Sequence, residues 1–157
     1  MKVIFLDIDG VLNSDKSTED NYETHGHYHS MIPHEMHVKW LNYITNKTDA
    51  SIVISSTWRM GCSNIRVLSH LLYLCGVTGD VIGLTPKLNN QERGNEIQSF
   101  LDNYSNSSIQ NKFPITNFVI LDDDSDMSHL KTHLVLCDEL IGLTKSDAEK
   151  AIKILEA

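Results

Sequence analysis

Five short apolar runs punctuate the chain: Val3–Leu6, Ile52–Ile54, Val81–Leu84, Phe118–Leu121 and Leu134–Leu136. Each is nearly continuous rather than alternating, the pattern of strands buried on both faces of a parallel sheet. Between them the apolar positions shift to helical spacing. Pro33 suits the first turn of a helix carrying Met36, Trp40, Leu41 and Ile44. Ser63 is placed to cap a second helix through Val67, Leu68, Leu71, Leu72 and Cys75, with Gly76 ending it. Ile97, Phe100, Leu101 and Tyr104 mark a third. Ser146-Asp147-Ala148-Glu149 has capping-box spacing ahead of Ala151, Ile152 and Leu155. Strands alternating with helices pair in parallel through right-handed crossovers, so the expected fold is an α/β three-layer sandwich. The polar stretches Asn13–Ser30 and Asn103–Asn111 are expected to be mobile.

Composition narrows this picture. A chain of 157 residues with 41% apolar content can bury one sizeable core, and a single domain over 1–157 is expected. The formal charge of −8 argues against binding long nucleic acid, which needs clustered cations to displace counterions. It leaves room for a nucleotide or a nucleic-acid end, because a bound divalent metal reverses the local field. No apolar run approaches the length of a membrane span, and Asp7 and Asp9 interrupt the apolar N-terminus, so no signal-peptide core forms. Three cysteines without Cys-x-x-Cys spacing read as buried thiols in a reducing, cytoplasmic setting. Trp40, Met36 and Trp58 are expected to pack in the core.

The chemistry gathers where two apolar runs stop. Val3–Leu6 ends in Asp7, Asp9 follows two residues later, and Gly10 permits a sharp turn. Phe118–Leu121 runs directly into Asp122-Asp123-Asp124-Ser125-Asp126. Ligands of open parallel sheets collect beyond the carboxyl ends of the strands, where an acid serves chemistry better than packing. If the two runs are neighbours, several carboxylates meet, and each close pair repels by roughly 4 kcal/mol at an effective dielectric near 20. An all-oxygen, carboxylate-rich site is what Mg²⁺ prefers. The competing reading is that each acid merely caps a turn or helix.

Taken with two further segments, these motifs resemble the haloacid dehalogenase (HAD) superfamily of phosphotransferases. The segments are Ile52-Val53-Ile54-Ser55 and Glu92-Arg93-Gly94-Asn95-Glu96-Ile97. More narrowly, Ser55-Ser56-Thr57-Trp58-Arg59, Arg93-Gly94, Leu121-Asp122-Asp123-Asp124 and Gly142-Leu143-Thr144 resemble the HAD domain of Swiss Army Knife RNA repair proteins. The resemblance implies a Rossmann-like sheet ordered 3-2-1-4-5 and a Mg²⁺-dependent phosphomonoester hydrolase working through an aspartyl-phosphate. Asp7 would be the nucleophile and Asp9 the general acid/base. Ser55, or Ser56 beside it, would hold the phosphate, and Arg93 would balance charge. Asp7, Asp9, Asp122, Asp123 and Asp126 are the candidate metal contacts. Arg59 is open between a substrate phosphate and a surface acid.

The segment 13–33 would be a flap or minimal cap, leaving a site open to nucleotides or RNA ends. His25, His27, His29, His34 and His37 fall in or beside it. With no Cys, Asp or Glu at zinc spacing, they read as part of a polar flap touching substrate rather than a second metal site. Two rival functions share much of this pattern. A phospho-accepting signalling module shares the parallel sheet, acids, hydroxyl and cation but places an acid pair after the first strand and the phosphorylated Asp on a later one. A catalytically silent HAD-like protein could bind a partner.

Overall fold

The computed structural model describes residues 1–25, 32–62 and 64–157. Strands β1 (Lys2–Leu6), β2 (Ser51–Ile54), β3 (Val81–Leu84), β4 (Asn117–Asp122) and β5 (Leu134–Leu136) form one sheet. Its spatial order is β3-β2-β1-β4-β5, and every pairing is parallel. The helices are α1 (Asp15–His25), α2 (Glu35–Thr48), α3 (Trp58–Gly61), α4 (Ile65–Leu74), α5 (Arg93–Ser105) and α6 (Lys145–Glu156), with a 3₁₀ turn at Ser128–His133.

The period-2 alternation of strand side chains divides the core into two layers. Ile4 and Leu6 of β1 face α2, α4 and α6, meeting Leu41, Ile44, Leu72 and Ala151. Val3 and Phe5 face the other way, toward Ile97 of α5 and Leu130 of the 3₁₀ turn. The Phe5 ring is met edge-on by Phe100 and Phe118, both at 5.6 Å between centroids. Burying each such side chain stabilises the fold by about 1.5–3 kcal/mol relative to exposing it. Helices on both faces make this a Rossmann-like three-layer sandwich, in the expected strand order.

The ladder continues one step past the strands. Asp7 N–H donates to Leu121 O (2.9 Å), Ser55 N–H to Leu6 O (2.9 Å) and Thr85 N–H to Ile54 O (3.0 Å). These bonds set Asp7, Ser55, Thr85 and Asp122 side by side along the carboxyl edge.

Several local expectations are corrected. The polar stretch after Asn13 begins with helix α1. Its sequence has no apolar stripe to announce it, but Ser14 and Ser17 cap each other: Ser14 N–H donates to Ser17 Oγ (2.8 Å) and Ser17 N–H to Ser14 Oγ (3.2 Å). Helix α2 is capped by His34, whose Nδ1 accepts from Met36 N–H, so Pro33 stands one residue outside. Ser63 lies outside the described residues, and Asn64 caps α4 through Arg66 N–H at 3.0 Å. The capping box of α6 belongs to Thr144 and Asp147 rather than to Ser146 and Glu149. Helix α5 extends to Ser105, and the turns after it are pinned by Tyr104 Oη donating to Phe113 O at 2.6 Å.

Candidate active site

Asp7, Asp122 and Asp123 each bring a carboxylate oxygen to one point at the carboxyl edge, all within 4.8 Å of one another. Among the described residues this is the one grouping of His, Cys, Asp or Glu tight enough to hold a metal. The topology dictates it, because the ends of the neighbours β1 and β4 coincide. Gly10, at φ 74°, is required twice over: for the left-handed turn after Asp9, and because a Cβ there would fall on the Asp123 carboxylate.

The electrostatics are strained in one direction. Burial, and after it the charge of Asp7, push the Asp122 carboxyl up to about 7 against the lowering pull of Arg93. Burial also raises Asp7, against the lowering pull of Arg93, and raises Asp123, where Asp7 adds to it. Asp122 Oδ1 accepts from Asp124 N–H at 2.9 Å, but Oδ2 is buried with no hydrogen-bond partner among the described residues. An orphaned carboxylate oxygen inside an all-oxygen cluster fits a small hard divalent cation.

Arg93, opening α5, supplies the positive charge. Its Nη1 lies 3.7 Å from both Asp7 Oδ2 and Asp122 Oδ2 and also donates to the Ser55 carbonyl. Ser55 Oγ is fully buried beside Asp7 along the edge and has no partner among the described residues. Ser56 hydrogen-bonds the Asp7 side chain, while Asp7 Oδ1 accepts from Ile8 N–H at 2.7 Å.

Two candidates stand apart from this grouping. Asp126 is not in the carboxylate trio: its Oδ2 accepts from Arg93 N–H at 3.0 Å and its carbonyl from Gly94 N–H at 3.1 Å, anchoring the start of α5. Gly94 permits that approach, since a Cβ there would strike the Met127 backbone. Arg59 faces inward, with only 5% of its side chain exposed. It pairs with Glu96, itself 4% exposed, and donates to the carbonyls of Ser55, Ser56 and Thr85. Its partner is therefore a buried acid rather than a surface one, and its donors are engaged within the protein.

Asp9 stands beside the trio, its carboxylate bound by Trp58 Nε1 and Asn13 Nδ2. It borders a cavity of about 280 Å³ whose lining also includes Asn13, Ser14, Thr18, Asp123 and Glu139. Of the histidine cluster, His27 and His29 and the His25 side chain lie outside the described residues. His34 caps α2 and contacts Asp20 at 3.4 Å. His37 is buried, bonded to Ser14 Oγ (2.9 Å) and Leu143 O (3.2 Å), and burial lowers its pKa. Both are structural ties.

Sequence reasoning missed Trp58, Asn13 and Glu96. Only the i, i+3 spacing of Arg93 and Glu96 on one helix pointed to any of them.

Acids from the first and fourth strands of a 3-2-1-4-5 sheet, faced by a buried hydroxyl and a guanidinium, define a HAD-type domain. The family model of the HAD domain in Swiss Army Knife RNA repair proteins matches residues 3–148, and the chain belongs to that family. Its superfamily is one of phosphatases and related hydrolases. No curated protein and no solved structure matches the chain. No helix among the described residues is long and apolar enough to cross a membrane.

Proposed function

We propose that the protein is a Mg²⁺-dependent phosphomonoester hydrolase working through an aspartyl-phosphate on Asp7, within a single domain whose segment 13–33 acts as a minimal flap. The observation that carries this reading is the trio of Asp7, Asp122 and Asp123, with Asp122 Oδ2 lacking a hydrogen-bond partner among the described residues and Arg93 at 3.7 Å from it. Asp7, Asp122 and Asp123 would hold the cation, with the Asp9 carbonyl as a further ligand. When bound, it neutralises phosphoryl charge so that an anionic nucleophile can approach. Asp126, committed to α5, is left as an outer support.

The chain's own groups account for both half-reactions. In the first, an Asp7 oxygen attacks phosphorus, the bond to the leaving oxygen breaks, and Asp9 gives that oxygen its proton. In the second, water attacks the phosphorylated Asp7 and passes a proton to Asp9. The phosphorus–Asp7 bond then breaks, releasing inorganic phosphate. Ser55 Oγ, without a hydrogen-bond partner among the described residues, donates to a phosphoryl oxygen, and Arg93 orients Asp7 and offsets growing charge. Arg59 acts one step back, fixing the turn that carries both serines.

The substrate class is a phosphate monoester, and the family description favours a nucleotide or RNA end. No lysine or arginine among the described residues lines the cavity beside Asp9, which supports a terminal phosphate with an uncharged alcohol portion next to it. The test is turnover of an aryl phosphate with and without Mg²⁺, for the wild type and Asp7→Asn. We expect metal-dependent release of phosphate that the substitution abolishes while the fold survives. Unchanged turnover in Asp7→Asn removes the nucleophile assignment. A stable phosphoprotein without turnover identifies a signalling module instead, and neither phosphorylation nor turnover identifies a silent scaffold.

A further inference from the structure

We propose that Trp58 is a positioning residue for Asp9: its indole N–H, with the Asn13 amide, fixes the Asp9 carboxylate so that Oδ2 carries the transferred proton. This rests on the reading of Asp9 as the general acid/base. Trp58 Nε1 lies 3.1 Å from Asp9 Oδ1 and 3.0 Å from Oδ2, straddling the carboxylate. Asn13 Nδ2 adds a second donor to Oδ1 at 2.9 Å. The orientation of the Asn13 amide is dictated by its other end, since Oδ1 accepts from Gly10 N–H at 3.0 Å and leaves only Nδ2 for Asp9.

Among the described residues Oδ1 is thus bound by two donors and Oδ2 by one. A proton on Asp9 needs an oxygen with a lone pair to spare, and that oxygen is Oδ2. An indole N–H donates only and never titrates near neutral pH, so it fixes the carboxylate without competing for the proton. Trp58 is partly buried and packs against the core, as expected, but packing does not account for where its nitrogen points. Packing alone would be met by phenylalanine, yet the indole nitrogen is directed at the acid. Trp58 is itself held in place: its backbone N–H donates to Ser56 Oγ at 3.3 Å, and Ser56 also bonds Asp7. One turn after β2 therefore serves both acids.

The test compares an aryl phosphate, whose leaving group needs little protonation, with an alkyl phosphate, which needs a proton from Asp9. Both are measured as kcat/KM in saturating Mg²⁺ for wild type, Trp58→Phe, Asn13→Ala and Asp9→Asn. General acid catalysis contributes 10²- to 10⁴-fold, so Trp58→Phe is expected to lower kcat/KM on the alkyl ester by about 10-fold or more and on the aryl ester by less than about 3-fold. Asp9→Asn should show the same discrimination, more strongly. A merely structural tryptophan would lower both substrates equally. If Asp9→Asn shifts the alkyl-to-aryl ratio and Trp58→Phe leaves it at the wild-type value, the positioning role is overturned while the acid/base reading stands. If Asp9→Asn leaves the ratio unchanged, both fall. Should Trp58→Phe not fold, Asn13→Ala, which removes the second donor, carries the same comparison with the same outcomes.

Discussion

Replacing Asp122 with asparagine separates what the acid does for chemistry from what it does to the fold. Without metal, Asp122 faces the carboxylates of Asp7 and Asp123 at no more than 4.8 Å. Each pair repels by roughly 3.5 kcal/mol at an effective dielectric near 20. Arg93, at 3.7 Å, offsets about 4.5 kcal/mol of that. The charge on Asp122 is thus unfavourable by roughly 2–3 kcal/mol before its lost hydration is added. The raised pKa points to a similar size: moving a carboxyl from 3.8 to about 7 disfavours its charged form in the fold by about 4 kcal/mol relative to the free group. Because the folded value is the higher one, folding takes up a proton. The penalty is absent below about pH 4, grows through the window up to about pH 7, and stands in full above it.

In chelator at pH 8, Asp122→Asn should therefore raise stability by about 2–4 kcal/mol, roughly 5–15 °C in Tm for a chain of this length. Added Mg²⁺ should raise the Tm of the wild type and leave the variant nearly unmoved, since stabilisation by a ligand requires that it bind. Denaturant and thermal unfolding at pH 5 and pH 8, with and without Mg²⁺, supply the measurement. A variant no more stable than wild type in chelator at pH 8, or one that gains as much from Mg²⁺, refutes the reasoning.

Two further outcomes concern the scaffold. Arg59→Met leaves Glu96 buried without its main partner and should destabilise the protein by about 3–5 kcal/mol, whereas adding Glu96→Leu should restore much of the loss; chemical denaturation of the pair decides. Burial pushes the Asp147 carboxyl up, but hydrogen bonds from Thr144 and Lys150 outweigh it and hold it below the ordinary range. Its stabilisation is therefore present above about pH 4 and lost as pH falls below that, so Asp147→Asn should flatten this part of an acid-unfolding curve.

The sheet and most of its helices were readable from apolar runs, because strands buried on both faces leave continuous hydrophobic stretches that no turn interrupts. The grouping of Asp7 with Asp122 followed from strand order once β1 and β4 were taken as neighbours. What escaped was whatever depends on side chains meeting across the fold. Helix α1 has no apolar stripe and is announced only by the Ser14–Ser17 cap. Trp58 looks like any core aromatic until its nitrogen is seen to point at Asp9. Arg59 looks like a surface cation until Glu96, far along the chain, is found buried against it. Asp126 shares an acidic run with Asp122, yet the backbone turn hands it to α5.

The place of β1 at the middle of the sheet has a consequence for biogenesis. Asp7 leaves the ribosome more than a hundred residues ahead of its partner acids Asp122 and Asp123. A nascent chain lacking β4 has no carboxylate trio, so under the proposed function it would neither capture a cation nor react with phosphate esters. On that reading reactivity would switch on only as the sheet closes around β1, and an ion bridging the two segments would then latch the earlier and later parts of the polypeptide together.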